Sequence, residues 1–305
     1  MTTKLCSVAE AVAGSIRDGD TVVIEGFTHL IPFAAAHEII RQGRRDLTLV
    51  RLTPDLVYDQ MIAAGCCRRL IFSWAGNPGV GSLHAFRRAV EQGVPSPIEI
   101  EEYSHFALAM RLFAGASGLP FMPLRSLRGS DLPHVNPALL TVTCPFTGET
   151  LDAVPALRPD VAVLHVQRAD AEGNAQVWGL TGAQKEAAFA SERVIVTAEE
   201  IVGSDVIRSD PNRTLVPGSL VSAVCEVPFG AHPSYAQGYY DRDTAFYEAW
   251  DEVSRDAARL SAWLDEWVHG VPDRAAYARK LGEARRARLT AEAALAAPVN
   301  YGRYA

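Results

Sequence analysis

DGDTVVIEGFTHLIP, residues 18–32, is the stretch whose reading decides the fold. Asp18-Gly19-Asp20 signals a turn. Val22, Val23 and Ile24 follow as an unbroken β-branched run, which fits a strand buried on both faces, as in a parallel sheet. The strand then meets Glu25, Gly26 and Phe27. Gly26 has no Cβ, so the backbone there turns sharply or comes close to a ligand. Pro32 suits the first turn of a helix, where its missing N–H costs nothing. Strand, glycine turn and helix start together make the carboxyl end of a βα unit. In open α/β sheets that edge is where ligands bind.

The same alternation continues outward. Ser7 and Glu10 form a capping box ahead of a helical face of Val8, Val12 and Ile16. After Pro32 a helix runs to Gln42, closed by Gly43. Leu47–Leu52 is a second strand, Asp55 caps a helix to about Ala64, and Leu70–Phe72 is a third strand. Ser82–Glu91 reads as a helix, Ile98–Tyr103 as a strand, Phe106–Ala114 as a helix and Pro120–Leu124 as an extended piece. Residues 126–137 are rich in Gly, Ser, Asp and Pro and read as a long loop. The sheet resumes at Leu139–Thr143, Val161–Val166, Asn174–Trp178, Val194–Thr197 and Leu220–Val227. This pattern indicates an α/β fold with an open, mainly parallel sheet and helices on both faces. Beyond it, Phe246, Trp250, Val253, Ala257, Leu260, Trp263 and Trp267 recur at helical spacing on one long helix. A second helix runs from about Asp273 to Ala296. Residues 1–305 read as a single domain, with 243–297 a helical C-terminal extension packed on it. The tryptophan stripe is core or subunit interface rather than a ligand box.

Composition narrows the class. Hydrophobic residues make up 48% and charged residues 21%, as in an ordinary globular protein. A net charge of −7 argues against nucleic acid as a partner. The five cysteines include no Cys-x-x-Cys pair, so neither a zinc site nor a disulfide framework is indicated. The most apolar long stretch, Ala107–Leu124, contains Arg111, Gly115, Gly118 and Pro120 and does not read as a membrane span. A reducing cytoplasm is the expected location.

Three stretches carry a family resemblance. Asp18-Gly19, Val22-Val23-Ile24, Gly26-Phe27 and Pro32 resemble the first signature of class I coenzyme A transferase α subunits. Glu25 stands where that signature has a glycine, a later glycine is missing, and Pro32 comes one position early. The strand from Val161 to His165, followed by Ala169-Asp170-Ala171-Glu172-Gly173-Asn174, resembles the middle of the same subunits. Gly230-Ala231-His232-Pro233 resembles a further segment of them. The GFTHLIP wording, Glu101-Glu102-Tyr103-Ser104-His105 and the helical tail are most similar to the α subunits of 3-oxoadipate and glutaconate CoA-transferases.

The resemblance implies a reaction. A carboxylate attacks an acyl-CoA thioester, the released thiolate returns to form an enzyme–CoA thioester, and an acceptor acid takes the CoA. CoA and acyl-CoA are then substrates, and no cofactor or metal is bound permanently. In the family the nucleophile is a glutamate in a Ser-Glu-Asn-Gly motif of the β subunit, and this chain contains no such motif. The expected partner is therefore a β subunit carrying it, in a hetero-oligomer such as α2β2. The expected donor is succinyl-CoA, and the acceptor 3-oxoadipate first and glutaconate second.

Gly26 and Phe27 are expected to present backbone N–H groups at the shared site, with Thr28 and His29 on the same rim. His29 is a candidate contact to the acid or the pantetheine, set against an ordinary hydrogen-bonded histidine. The glycine-rich loop with Asn77, Gly79 and Gly81 is a candidate for close approach of phosphate or pantetheine, although it matches neither a P-loop nor Gly-x-Gly-x-x-Gly. Glu25 is costly at a buried strand end unless paired. Arg51, at similar depth on the next strand, is its expected structural partner. His165 reads as a satisfied core histidine. A competing reading uses the same scaffold for hydrolysis. Relatives of the fold open rings in CoA thioesters of steroid breakdown with an α-subunit glutamate near Glu101–Glu102. A third reading is a non-catalytic module that binds CoA esters.

Overall fold

The computed structural model describes residues 3–78 and 80–291 of the chain. From the N-terminus α1 (Val8–Ser15), β1 (Thr21–Glu25), α2 (Phe33–Arg41), β2 (Leu47–Val50), α3 (Leu56–Ala63), β3 (Cys67–Phe72), α4 (His84–Gln92), β4 (Glu99–Glu102) and α5 (His105–Ala116) alternate. Then β5 (Phe121–Leu124), α6 (Leu132–Val135), β6 (Leu140–Thr143) and β7 (Thr150–Pro155) interrupt the pattern. It resumes with β8 (Val161–Ala169), β9 (Ala175–Gln176), α7 (Gln184–Ala190), β10 (Arg193–Ile201), α8 (Ser204–Ser209), β11 (Thr214–Val216) and β12 (Ala223–Glu226). Among the described residues four α-helices follow: α9 (Thr244–Arg255), α10 (Ala257–Leu264), α11 (Arg274–Leu281) and α12 (Glu283–Leu289).

The parallel part of the main sheet has the order β12-β10-β8-β1-β2-β3-β4, and β9 and β11 add antiparallel beside β8. The chain leaves β1 toward β2, β3 and β4, then returns on the other side of β1 as β8. Strand order thus reverses between β1 and β8, and the crevice beyond their carboxyl ends is the topological switch point. Side chains alternate strictly across the sheet. Val22 and Ile24 join the apolar layer under α1–α4, whereas Val23 joins the layer under α5 and α7. Helices cover both faces.

Three expectations change. Leu139–Thr143 does not rejoin the main sheet; β6 pairs with β7, and β7 with β5, in a separate antiparallel sheet of three strands. A short run of alternating residues cannot say which sheet it joins, and β7 ends in Pro155, a residue that demotes a strand reading. The long C-terminal helix is broken at Asp256, whose extended backbone and side chain cap a new helix by accepting from the Arg259 N–H. The second helix is likewise broken, at Gly282 with φ +92°. Its expected end at Ala296, and residues 292–297 of the extension, lie outside the described residues.

The tryptophan stripe faces inward. Trp250 is fully buried and donates from Nε1 to Asp59 Oδ2 on α3 at 3.0 Å. Trp263 stacks edge-on to Trp250 at 5.0 Å and reaches His37 of α2 at 6.3 Å. No helix among the described residues is long and apolar enough to cross a membrane.

Candidate active site

Glu25 ends β1 at the switch point, and the chain turns back on itself at once. A Cβ on Gly26 would lie 2.7 Å from the Leu30 carbonyl oxygen and 2.8 Å from that of His29. The missing side chain is therefore required by the chain's own backbone, before any ligand arrives. Thr28 and Leu30 adopt φ of +56° and +53°, a left-handed conformation costly for residues with a Cβ. Neighbouring segments hold this strained turn. Ser234 donates to the Thr28 carbonyl at 2.8 Å, and the Leu30 N–H donates to the Tyr235 carbonyl at 2.9 Å. The segment after Gly230-Ala231-His232-Pro233 is thus the clamp on the first loop.

His29 belongs to that clamp and not to the exposed rim. It is fully buried, Nδ1–H donates to the Leu180 carbonyl at 2.7 Å, and Nε2 accepts the Gln237 N–H at 3.0 Å. Both ring nitrogens are committed, and burial pushes its pKa down to about 4, so the ring is neutral. The expectation that it contacts substrate is corrected.

The Glu25–Arg51 pair does not form. Register places Val22 opposite Leu49 and Val23 opposite Val50, so Arg51 shares a face with Ile24, and Glu25 lies on the other face. Arg51 instead pairs with Asp55 Oδ1 at 3.0 Å and donates to the Gly26 carbonyl. Glu25 Oε1 accepts only a long 3.4 Å bond from the Ala183 N–H, and Oε2 has no partner among the described residues. Burial raises its carboxyl pKa, against the opposing charge of Arg51. A Cβ on Gly182 would come within 2.8 Å of Glu25 Oε1 and 3.0 Å of the Phe27 Cβ, so that glycine lets the loop before α7 close over both.

The glycine-rich loop is a docking point for α9, which corrects its reading as a ligand cradle. Asn77 is buried and donates from Nδ2 to the Tyr247 carbonyl at 2.8 Å. A Cβ on Gly81 would lie 2.5 Å from Asp251 Oδ1, and the same carboxylate accepts from the Ser82 N–H at 3.2 Å. Gly79 lies outside the described residues.

What remains at the carboxyl edge of β1, β3 and β4 is a compact rim. Phe27 is half-buried and meets the His105 ring edge-on at 6.0 Å. His105 Nδ1 lies 2.7 Å from Ser73 Oγ, just past β3. Trp74 (47% exposed) and Phe106 (54%) flank that pair in sequence and leave apolar surface uncovered. Glu101 points to the α5 face, where it accepts from Arg111 at 2.7 Å and from the Tyr103 hydroxyl. Glu102, on the opposite face, is exposed with no side-chain partner among the described residues. The sequence reading did not name Ser73 or His105 as site residues; the available signal was that Ser73 directly follows β3 and His105 opens α5 shortly after β4, at this one edge.

Farther back, His165 bonds Thr197 Oγ at 2.8 Å and Glu199 Oε1 at 2.6 Å. Glu199 also accepts from the Phe229 N–H at 2.6 Å, which orders the 229–233 segment. A cavity of about 690 Å³ lies between α2, residues 226–229 and α11, and shares no residue with the rim.

These features have close counterparts. The coenzyme A transferase family profile matches residues 6–227. The α subunit of the 3-oxoadipate CoA-transferase of Pseudomonas knackmussii is 57% identical over 92% of this chain and 99% of its own. The crystal structure of glutaconate coenzyme A-transferase from Acidaminococcus fermentans superposes with a TM-score of 0.91 at 33% identity, over 98% of this chain and 99% of that one. The cholesterol ring-cleaving hydrolase IpdA subunit of Mycobacterium tuberculosis is 31% identical over 89% of this chain and 95% of its own. This chain belongs to the coenzyme A transferase family, as a CoA-transferase α subunit of the 3-oxoadipate and glutaconate type.

Proposed function

We propose that this subunit supplies half of a site that moves CoA from succinyl-CoA to a small dicarboxylic acid, 3-oxoadipate before glutaconate. The observation that carries this is the 57% identity, across nearly the full length, with the α subunit of a 3-oxoadipate CoA-transferase. The nucleophile is a glutamate in a Ser-Glu-Asn-Gly motif on a β subunit, because no residue stretch here supplies that motif. Its carboxylate displaces CoA thiolate from the donor to give an acyl anhydride. The thiolate then attacks the glutamyl carbonyl, releasing the donor acid and leaving a glutamyl-CoA thioester, which the acceptor carboxylate resolves by the reverse sequence. The nucleophile is a protein carboxylate and the carried group is CoA itself, so the reading calls for no permanently bound cofactor. On this chain the strained 26–30 turn fixes the floor of the site, and the Phe27–His105 rim faces the incoming thioester. An α2β2 assembly in the cytoplasm completes the reading.

A second reading, hydrolysis of a CoA thioester, is favoured by one feature, the exposed Glu102 at the same edge, whose side chain has no partner among the described residues. The test separates the two. The chain is purified alone and with its β subunit, then given succinyl-CoA and 3-oxoadipate. CoA exchange is expected only in the mixture, with a hydroxylamine-sensitive CoA adduct on the β subunit by mass spectrometry. An adduct on Glu102, or free acid released without an acceptor, would replace transfer with hydrolysis.

A further inference from the structure

The Ser73–His105 pair fixes a tautomer. Ser73 Oγ lies 2.5 Å from the Leu52 carbonyl oxygen, which can only accept, so the single hydroxyl proton points there. The proton in the 2.7 Å contact between Ser73 Oγ and His105 Nδ1 must then come from the ring. Partial desolvation lowers the ring pKa from its ordinary value, and no charged side chain among the described residues offsets that effect. Glu102, at the end of the strand leading into His105, makes no ion pair with it. At neutral pH the ring is uncharged, with Nδ1 protonated and Nε2 a bare acceptor. No group among the described residues bonds to Nε2, and the side chain is exposed at the rim beside Phe27.

In the free subunit water pairs this exposed acceptor, so a substrate that displaces the water keeps the bond only by bringing a donor. Ionised dicarboxylic acids, the glutamate nucleophile and the CoA thiolate offer only acceptors. Among the reactants of the proposed reaction, N–H groups near the thioester occur only in the two amides of the pantetheine arm. We propose that His105 Nε2 accepts a hydrogen bond from a pantetheine amide N–H and so positions the CoA thioester over the Phe27 rim. Exposed Trp74 and Phe106 suit the methylenes of the same arm. This assignment rests on the acyl-CoA reading above.

The test uses the two-subunit enzyme and two donors: succinyl-CoA, and the succinyl thioester of methyl 3-mercaptopropionate, which lacks an amide. His105→Leu should lower kcat/KM for succinyl-CoA about tenfold, the loss of one neutral hydrogen bond, acting mainly through KM. The amide-free thioester should change by less than about twofold. His105→Gln, which keeps an acceptor oxygen, should recover most of the loss. Equal losses on both donors, no loss on either, or no recovery with glutamine would overturn the assignment. A wild-type complex that used neither donor would overturn the transferase reading, and the pantetheine contact with it.

Discussion

Glu25 is a buried carboxyl group without an ion-pair partner among the described residues, at the point where β1 turns into its first loop at the sheet's switch point. Its folded pKa is raised by burial above the usual 4.5, so the sign of its effect on stability is fixed. Between the unfolded and folded values the unfolded chain ionises and the folded chain does not, so stability falls as pH rises through that window. Glu25→Gln removes the titration. The urea midpoint of the variant should gain on the wild type from pH 4 to pH 7, and a constant difference would show that the carboxyl titrates alike in both states. On the proposed reading the nucleophile lies on the β subunit, so CoA labelling there should survive the substitution. At this scale the sequence was half legible. A glycine after a β-branched run announces the turn at Gly26. The partner of Arg51 was hidden, since depth along a strand says nothing about register, and one residue of offset exchanges the two faces. Asn77 and Gly81 misled for a related reason: glycines that admit a ligand and glycines that admit a packed helix read alike.

Helix α9 is held to α3 by a buried polar contact inside an aromatic cluster. Asp59 accepts from the Phe86 N–H at 2.9 Å and from Trp250 Nε1 at 3.0 Å, and burial pushes its pKa up to about 6. Trp250→Phe should keep the stacking but leave Asp59 Oδ2 without its donor, at about 1–3 kcal/mol of stability by urea unfolding. Combined with Asp59→Asn the loss should be less than additive, as expected for residues in contact. Strict additivity would mean that Trp250 acts through packing alone. The alternating elements were legible because a buried parallel strand needs an unbroken apolar run and a surface helix needs a stripe. The small antiparallel sheet was not, because its strands are short and half-exposed. The helix breaks at Asp256 and Gly282 are masked in the sequence because the apolar stripe continues across them.

Across the whole molecule the C-terminal helices are tied to the sheet by buried polar contacts as well as by tryptophans. Arg274 of α11 donates from Nε to the Phe229 carbonyl at 2.9 Å. Asp243, at the start of α9, accepts from His232 Nε2 at 2.9 Å and from Arg285 of α12 at 2.6 Å. His232 lies two residues before Ser234, where the clamp on the strained turn after β1 begins, so the helices anchor the chain that leads into the candidate site's support. Separating them would put the apolar Trp250 cluster into water and break the bonds of Arg274 and Asp243 at the same time. We predict that the helical part, residues 243–291, does not behave as an independent unit. Limited chymotrypsin digestion should instead cut first at Phe146, which is 94% exposed in the turn between β6 and β7. The two products should stay associated on gel filtration, joined through the main sheet. Early cleavage near Asp243, with release of a helical fragment stable by circular dichroism, would show that the helices form a domain of their own and that the clamp on the 26–30 turn stands without them.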